Sequence, residues 1–93
     1  MLDPRYAAIV QDWAEELASV LGRSPSEIRE KGLHAGDFPH QLLEIEFDDE
    51  STARFRWAFY VESRSKKAVG VFTEHCGYFV LPIAGVKIVR GDL

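Results

Sequence analysis

The sequence predicts an α+β fold: an N-terminal helix, with a short second helix, packed on one face of a 4–5-stranded antiparallel meander sheet. Two patterns and a size predict it. Before about residue 36 the apolar residues recur at helical steps, and after it they alternate at the period of a strand. The chain has 93 residues, 46% hydrophobic and 12% aromatic, which is enough for one core and too little for two. A single domain over 1–93 is therefore expected, helical over 1–36 and sheet over 37–93.

The first helix follows from Tyr6, Ile9, Val10, Trp13, Leu17, Val20 and Leu21, which line one helical stripe. Asp3 suits the cap and Pro4 the first turn, where a missing N–H donor costs nothing. Gly22 can adopt the left-handed conformation that ends the helix. A second helix is expected from Pro25 to about Lys31. Ser24 and Glu27 have the spacing of a capping box there, and Gly32 closes the segment. Residues 32–41, with Gly32, Gly36 and Pro39, read as a connection.

The strands come next. Leu43, Ile45 and Phe47 alternate with Glu44, Glu46 and Asp48, and Ala53, Phe55, Trp57, Phe59 and Val61 with polar or smaller neighbours. Further strands are expected near 67–75, 78–82 and 86–90. Register is set here by side-chain chemistry, since a one-residue slip turns every apolar side chain to the wrong face. A loop centred on Glu50 pairs Ile45 with Phe55 and Leu43 with Trp57, and sets Glu46 against Arg54 and Glu44 against Arg56. A loop centred on Ser65 pairs Val61 with Val69 and Phe59 with Val71, with Glu74 on the far side of Arg56.

Composition excludes several classes. A disordered acidic tail would lack the two Trp, six Phe and three Tyr present. No apolar run reaches the roughly 20 residues of a membrane-spanning helix, and the first residues lack a basic-then-apolar leader. The single cysteine cannot form an internal disulfide, which points to a cytoplasmic protein. No cofactor is expected. A metal site is not expected either, because His34, His40, Glu74, His75 and Cys76 could supply ligands but show no paired spacing.

Three constellations remain. Glu74, His75 and Cys76 are the weak catalytic candidates: a thiol beside a base can become a nucleophile. Successive strand residues face opposite ways, so His75 and Cys76 meet only if the chain turns there. Otherwise Cys76 is simply a small apolar side chain. The second constellation, Leu17 to Ile28, resembles the core of a DNA-binding helix-turn-helix. The likeness rests on Ala18, Gly22 and Ile28 and departs from that family at Arg23 and Lys31. It implies contacts from Arg23, Ser26 and Arg29, but residues 1–36 hold six acidic and four basic side chains, where phosphate contact needs a basic face. Nucleic acid is therefore not the expected partner.

The third is the sheet's second face. Arg54 and Arg56 lie among Glu44, Glu46 and Glu74 as an ion-pair ladder, a pattern that usually marks a solvated face. Farther along the same face the expected register gathers Leu42, Ala58, Tyr60, Phe72 and Leu81, an apolar patch with no evident cover. The function expected is thus a non-enzymatic, protein-binding accessory, inhibitor or immunity-type domain, self-associating as a homodimer through that face. A helix-turn-helix regulator and a Cys76-centred enzyme are the alternatives. Charge adds an expectation of end-to-end polarity, because residues 37–62 carry a net −5 and residues 63–93 a net +3.

Overall fold

The computed structural model describes residues 5–92, leaving aside the side chains of Arg5 and Ala7. The expected cap at Asp3 and Pro4 lies outside the described residues. The chain divides into two compact units, Met1–Asp37 and Phe38–Leu93.

The first unit holds α1 (Arg5–Leu21), α2 (Pro25–Lys31) and a 3-10 turn over Ala35–Asp37. Tyr6, Ile9, Val10, Trp13, Ala14 and Leu17 of α1 are buried, with Ile28 and Leu33, as the stripe requires. Val20, assigned to that stripe from spacing, is instead 52% exposed. The helix departs from helical geometry once, at Trp13 (φ −110°, ψ 15°). That change in direction alters which residues near its end face inward. Gly22 ends α1 at φ 69°, its N–H bonded to Ala18 C=O at 3.0 Å. Ser24 caps α2 by accepting the Glu27 N–H at 3.1 Å.

The second unit is antiparallel and differs from the expected single meander sheet. It contains β1 (Gln41–Phe47), β2 (Thr52–Arg56), β3 (Ala58–Ser63), β4 (Ala68–Thr73), β5 (Tyr78–Pro82) and β6 (Val86–Asp92). These form two three-stranded sheets, in orders β2-β1-β6 and β3-β4-β5. The α+β class holds, but one sheet has become two because the segment read as one strand breaks at Trp57. That residue sits at φ 54°, outside any strand conformation.

Leu43 and Ile45 of the first sheet share a core with Ala58, Val69 and Val71 of the second, and Phe47, Phe55, Tyr60, Leu81, Val86 and Ile88 pack around it. Phe55 and Phe79 meet across the sheets at 5.0 Å between ring centroids. On the second sheet's other side Phe59 stacks on Phe72 at 5.4 Å, and Phe38 closes on Phe59 at 5.6 Å.

Both hairpin registers differ from expectation. In the first, Leu43 pairs with Phe55 and Ile45 with Ala53, so Glu44 faces Arg54 rather than Arg56. The turn explains it: Glu50 adopts φ 68°, and Phe47 N–H donates to Ser51 C=O at 3.0 Å. The shift is a whole two-residue step, which preserves the faces. In the second, Val61 pairs with Gly70 and Phe59 with Phe72. Its turn closes from Lys67 N–H to Arg64 C=O at 3.2 Å, with Lys67 at φ 52°. The axis then falls between Ser65 and Lys66, so the expected face of β4 is inverted.

Candidate binding corner at Trp57

The geometry that stands out in the second unit is the corner between the sheets. Trp57 holds a left-handed backbone that bulky residues rarely adopt, at a cost of about 1–3 kcal/mol. Hydrogen bonds fix it on both sides. Its N–H donates to Gln41 C=O at 3.0 Å, and its C=O accepts the Glu74 N–H at 3.1 Å. Gln41 is itself anchored, donating from Nε2 to Ala58 C=O at 2.8 Å and from its backbone to Pro39 C=O at 2.8 Å. The residue is nevertheless 38% exposed. One ring face is backed by His40, stacked at 4.6 Å and 14°.

Beside this aromatic pair lies a groove of ≈ 580 Å³ lined by His40, Leu42, Arg54, Arg56, Trp57 and Asp92. Arg54 donates from Nε to Glu44 Oε2 at 2.7 Å, which leaves its two terminal nitrogens for other acceptors. The Arg56 guanidinium has no ion-pair or hydrogen-bond partner among the described residues. The expected Glu74–Arg56 contact is absent, since the Glu74 carboxylate lies 3.7 Å from His75 Nε2. The corner can therefore offer a flat apolar surface and an uncommitted planar cation side by side.

The apolar patch read from sequence does not exist as one surface. Leu42 lies on the outer side of the first sheet and lines the groove. Tyr60 and Leu81 pack against the core between the sheets, where Ala58 is fully buried. Phe72 is also fully buried, but on the second sheet's opposite side with Phe59. The physical cause is the inverted register of the second hairpin, which separates Phe72 from Tyr60.

Glu74, His75 and Cys76 form the loop between β4 and β5. Thr73 Oγ1 organises it, accepting the Cys76 N–H at 2.8 Å and donating to Gly77 C=O at 2.6 Å. Cys76 is exposed and its thiol has no hydrogen-bond partner among the described residues. His75 points into solvent, its side chain 72% exposed. The loop brings the Glu74 and His75 side chains within 3.7 Å of each other, but among the described residues no base is hydrogen-bonded to the Cys76 sulfur. Among the described residues no group of three His, Cys, Asp or Glu side chains is placed to hold a metal ion.

Of the residues implied by the helix-turn-helix likeness, Ser26 is exposed and Arg29 makes a long 3.9 Å pair with Glu15. Arg23 is largely buried and fully engaged. It donates to Asp37 Oδ2 at 2.6 Å, to Glu27 Oε1 at 3.1 Å and to Gly32 C=O at 3.1 Å, and it sits 3.2 Å from His34 Nε2. Its side chain ties α2 to the turn that follows, which leaves the Arg23 guanidinium committed within the fold, while Arg29 remains exposed.

Sequence reasoning placed Trp57 in the core and treated Arg54 and Arg56 as a neutralised ladder. One signal was available: residues 53–61 alternate for nine positions, longer than the usual five- or six-residue strand. No protein-family model, no curated protein and no solved structure matches this chain. Among the described residues no helix is long and apolar enough to cross a membrane.

Proposed function

We propose that this is a non-catalytic protein-interaction domain whose binding surface is the Trp57 corner. The observation that carries the reading is an exposed indole held on a strained, doubly hydrogen-bonded backbone. Glycine would occupy φ 54° without strain, so tryptophan there carries a backbone cost that only its ring can offset. Tryptophan and arginine are also the residues most enriched where binding energy concentrates at interfaces. The test is capture from lysate by immobilised parent protein and by Trp57→Gly, which suits the backbone and removes the ring. A protein held by the parent and released by the variant supports the reading; equal retention by both, or by neither, defeats it.

Self-association is a second reading, and one observation favours a particular edge for it. Val89 is 46% exposed on β6, a terminal strand of its sheet. Two copies of β6 paired antiparallel about Val89 set Val89 against itself, Lys87 against Gly91 and Ile88 against Arg90, with no like charges opposed. Light scattering over a dilution series should find a dimer that Val89→Lys converts to monomer. A parent protein that is monomeric throughout sinks this reading.

A further inference from the structure

We infer that the Trp57 corner takes an extended acidic peptide, which adds to β2 as a fourth strand of the first sheet. This rests on the binding reading above and names its occupant. β2 is terminal in the order β2-β1-β6, so one of its edges has no neighbour in the ladder. The register says which backbone groups line that edge. Phe47 bonds to Ser51 and Trp57 to Gln41, so the groups of Ala53 and Phe55, in phase with them, face β1. The N–H and C=O groups of Thr52, Arg54 and Arg56 then face outward. Unpaired edges of this kind are templates for strand addition.

Charge selects the strand. Arg54 and Arg56 are two residues apart and exposed on one face of β2, so an added strand sets alternate side chains beside them. Carboxylates at those positions meet the unpartnered Arg56 and the free terminal nitrogens of Arg54. The intervening side chain lies on the side of half-buried Phe55, and the peptide's next residue reaches Trp57 and the ≈ 580 Å³ groove. The same charges disfavour a second copy at this edge. β2 paired with itself about Arg54 opposes like charges directly, a destabilising arrangement. A nucleic acid strand is disfavoured because a phosphodiester backbone has no alternating N–H and C=O groups with which to complete a β ladder.

The test uses two blocked heptapeptides, one alternating glutamate with valine and one alternating lysine with valine. Each is titrated into the full chain and followed by amide NMR with hydrogen exchange. The glutamate peptide should slow exchange at the Arg54 and Arg56 amides at least tenfold and shift the Trp57 indole signal. The lysine peptide should bind at least tenfold more weakly, and Arg56→Glu should invert that preference. Protection of those amides by the glutamate peptide alone supports the inference. An indole shift without β2 protection overturns strand addition while leaving the corner a binding surface. Protection at β6 instead, equal shifts with a single-stranded oligonucleotide, or no response at millimolar peptide also overturns it. In that last case the Trp57→Gly capture result still decides the binding reading separately.

Discussion

Trp57 combines a costly backbone with a ring that is part exposed and part stacked on His40, and the two contributions separate by substitution. Glycine at this position removes the left-handed strain along with the His40 stack; alanine removes the stack and keeps the strain. Urea denaturation should place Trp57→Ala about 1 kcal/mol below Trp57→Gly, the usual glycine advantage at positive φ. An alanine variant as stable as the glycine variant would mean that the backbone relaxes on losing the indole. Asp49 offers a second residue-level check. The Ser51 hydroxyl (2.5 Å) and then the Ser51 N–H (3.0 Å) donate to its carboxylate and hold its pKa below the ordinary 3.8. A carboxyl depressed in the folded state stabilises it above the unfolded-state pKa, and that contribution is lost as pH falls through the folded-state value. Ser51→Ala should therefore raise the Asp49 midpoint in a carbon-detected NMR titration. An unmoved midpoint would assign the depression to the backbone alone.

Among the elements, the helices were legible and the sheet only partly so. Ser24, Pro25 and Gly32 act within one turn of their neighbours, so local sequence sufficed to bound α2 at Pro25–Lys31. Strand existence was legible in the same way, through alternation. Register was not, because it depends on how many residues a turn consumes, and Glu50 and Lys67 adopt positive φ that their residue types do not announce. The break at Trp57 was hidden for a different reason. Alternation runs through it without a skipped position, although Phe55 faces the core between the sheets and Phe59 faces the opposite side of the second one. Arg54 and Arg56 were correctly placed on one face, yet what makes them a candidate site is a corner that pattern alone cannot reveal. In the helical unit the element-level dependence is on Arg23, whose side chain is 13% exposed against an Asp37 side chain at 12%. Arg23→Ala leaves that carboxylate without its cation and should cost about 2–3 kcal/mol. Arg23→Lys should recover little, since one ammonium cannot span Asp37, Glu27 and Gly32 together. Helical circular dichroism on denaturation reads both, and full rescue by lysine would refute the forked geometry.

At the scale of the whole sheet unit, the expected end-to-end charge separation does not arise. Ile83 N–H donates to Lys67 C=O at 3.2 Å, and Pro82, Ala84, Gly85 and Val86 line one cavity with Asp48 and Asp49. The acidic and basic hairpin tips therefore border the same connection between β5 and β6. Splitting the 53–61 segment into two strands adds a reversal to the path and brings both tips to one end. Trp57, Gln41 and the Glu74 loop gather at the other. The two tryptophans also divide between the units, Trp13 at 2% exposure in Met1–Asp37 and Trp57 at 38% in Phe38–Leu93. Each half of the chain thus contains its own fluorophore, one sheltered from solvent and one open to it. Acrylamide should quench the Trp57 emission readily and spare most of the blue-shifted light from Trp13. With Trp57→Phe and Trp13→Phe proteins, each unit's unfolding becomes observable without an added label, and the order in which the halves melt becomes a direct optical measurement.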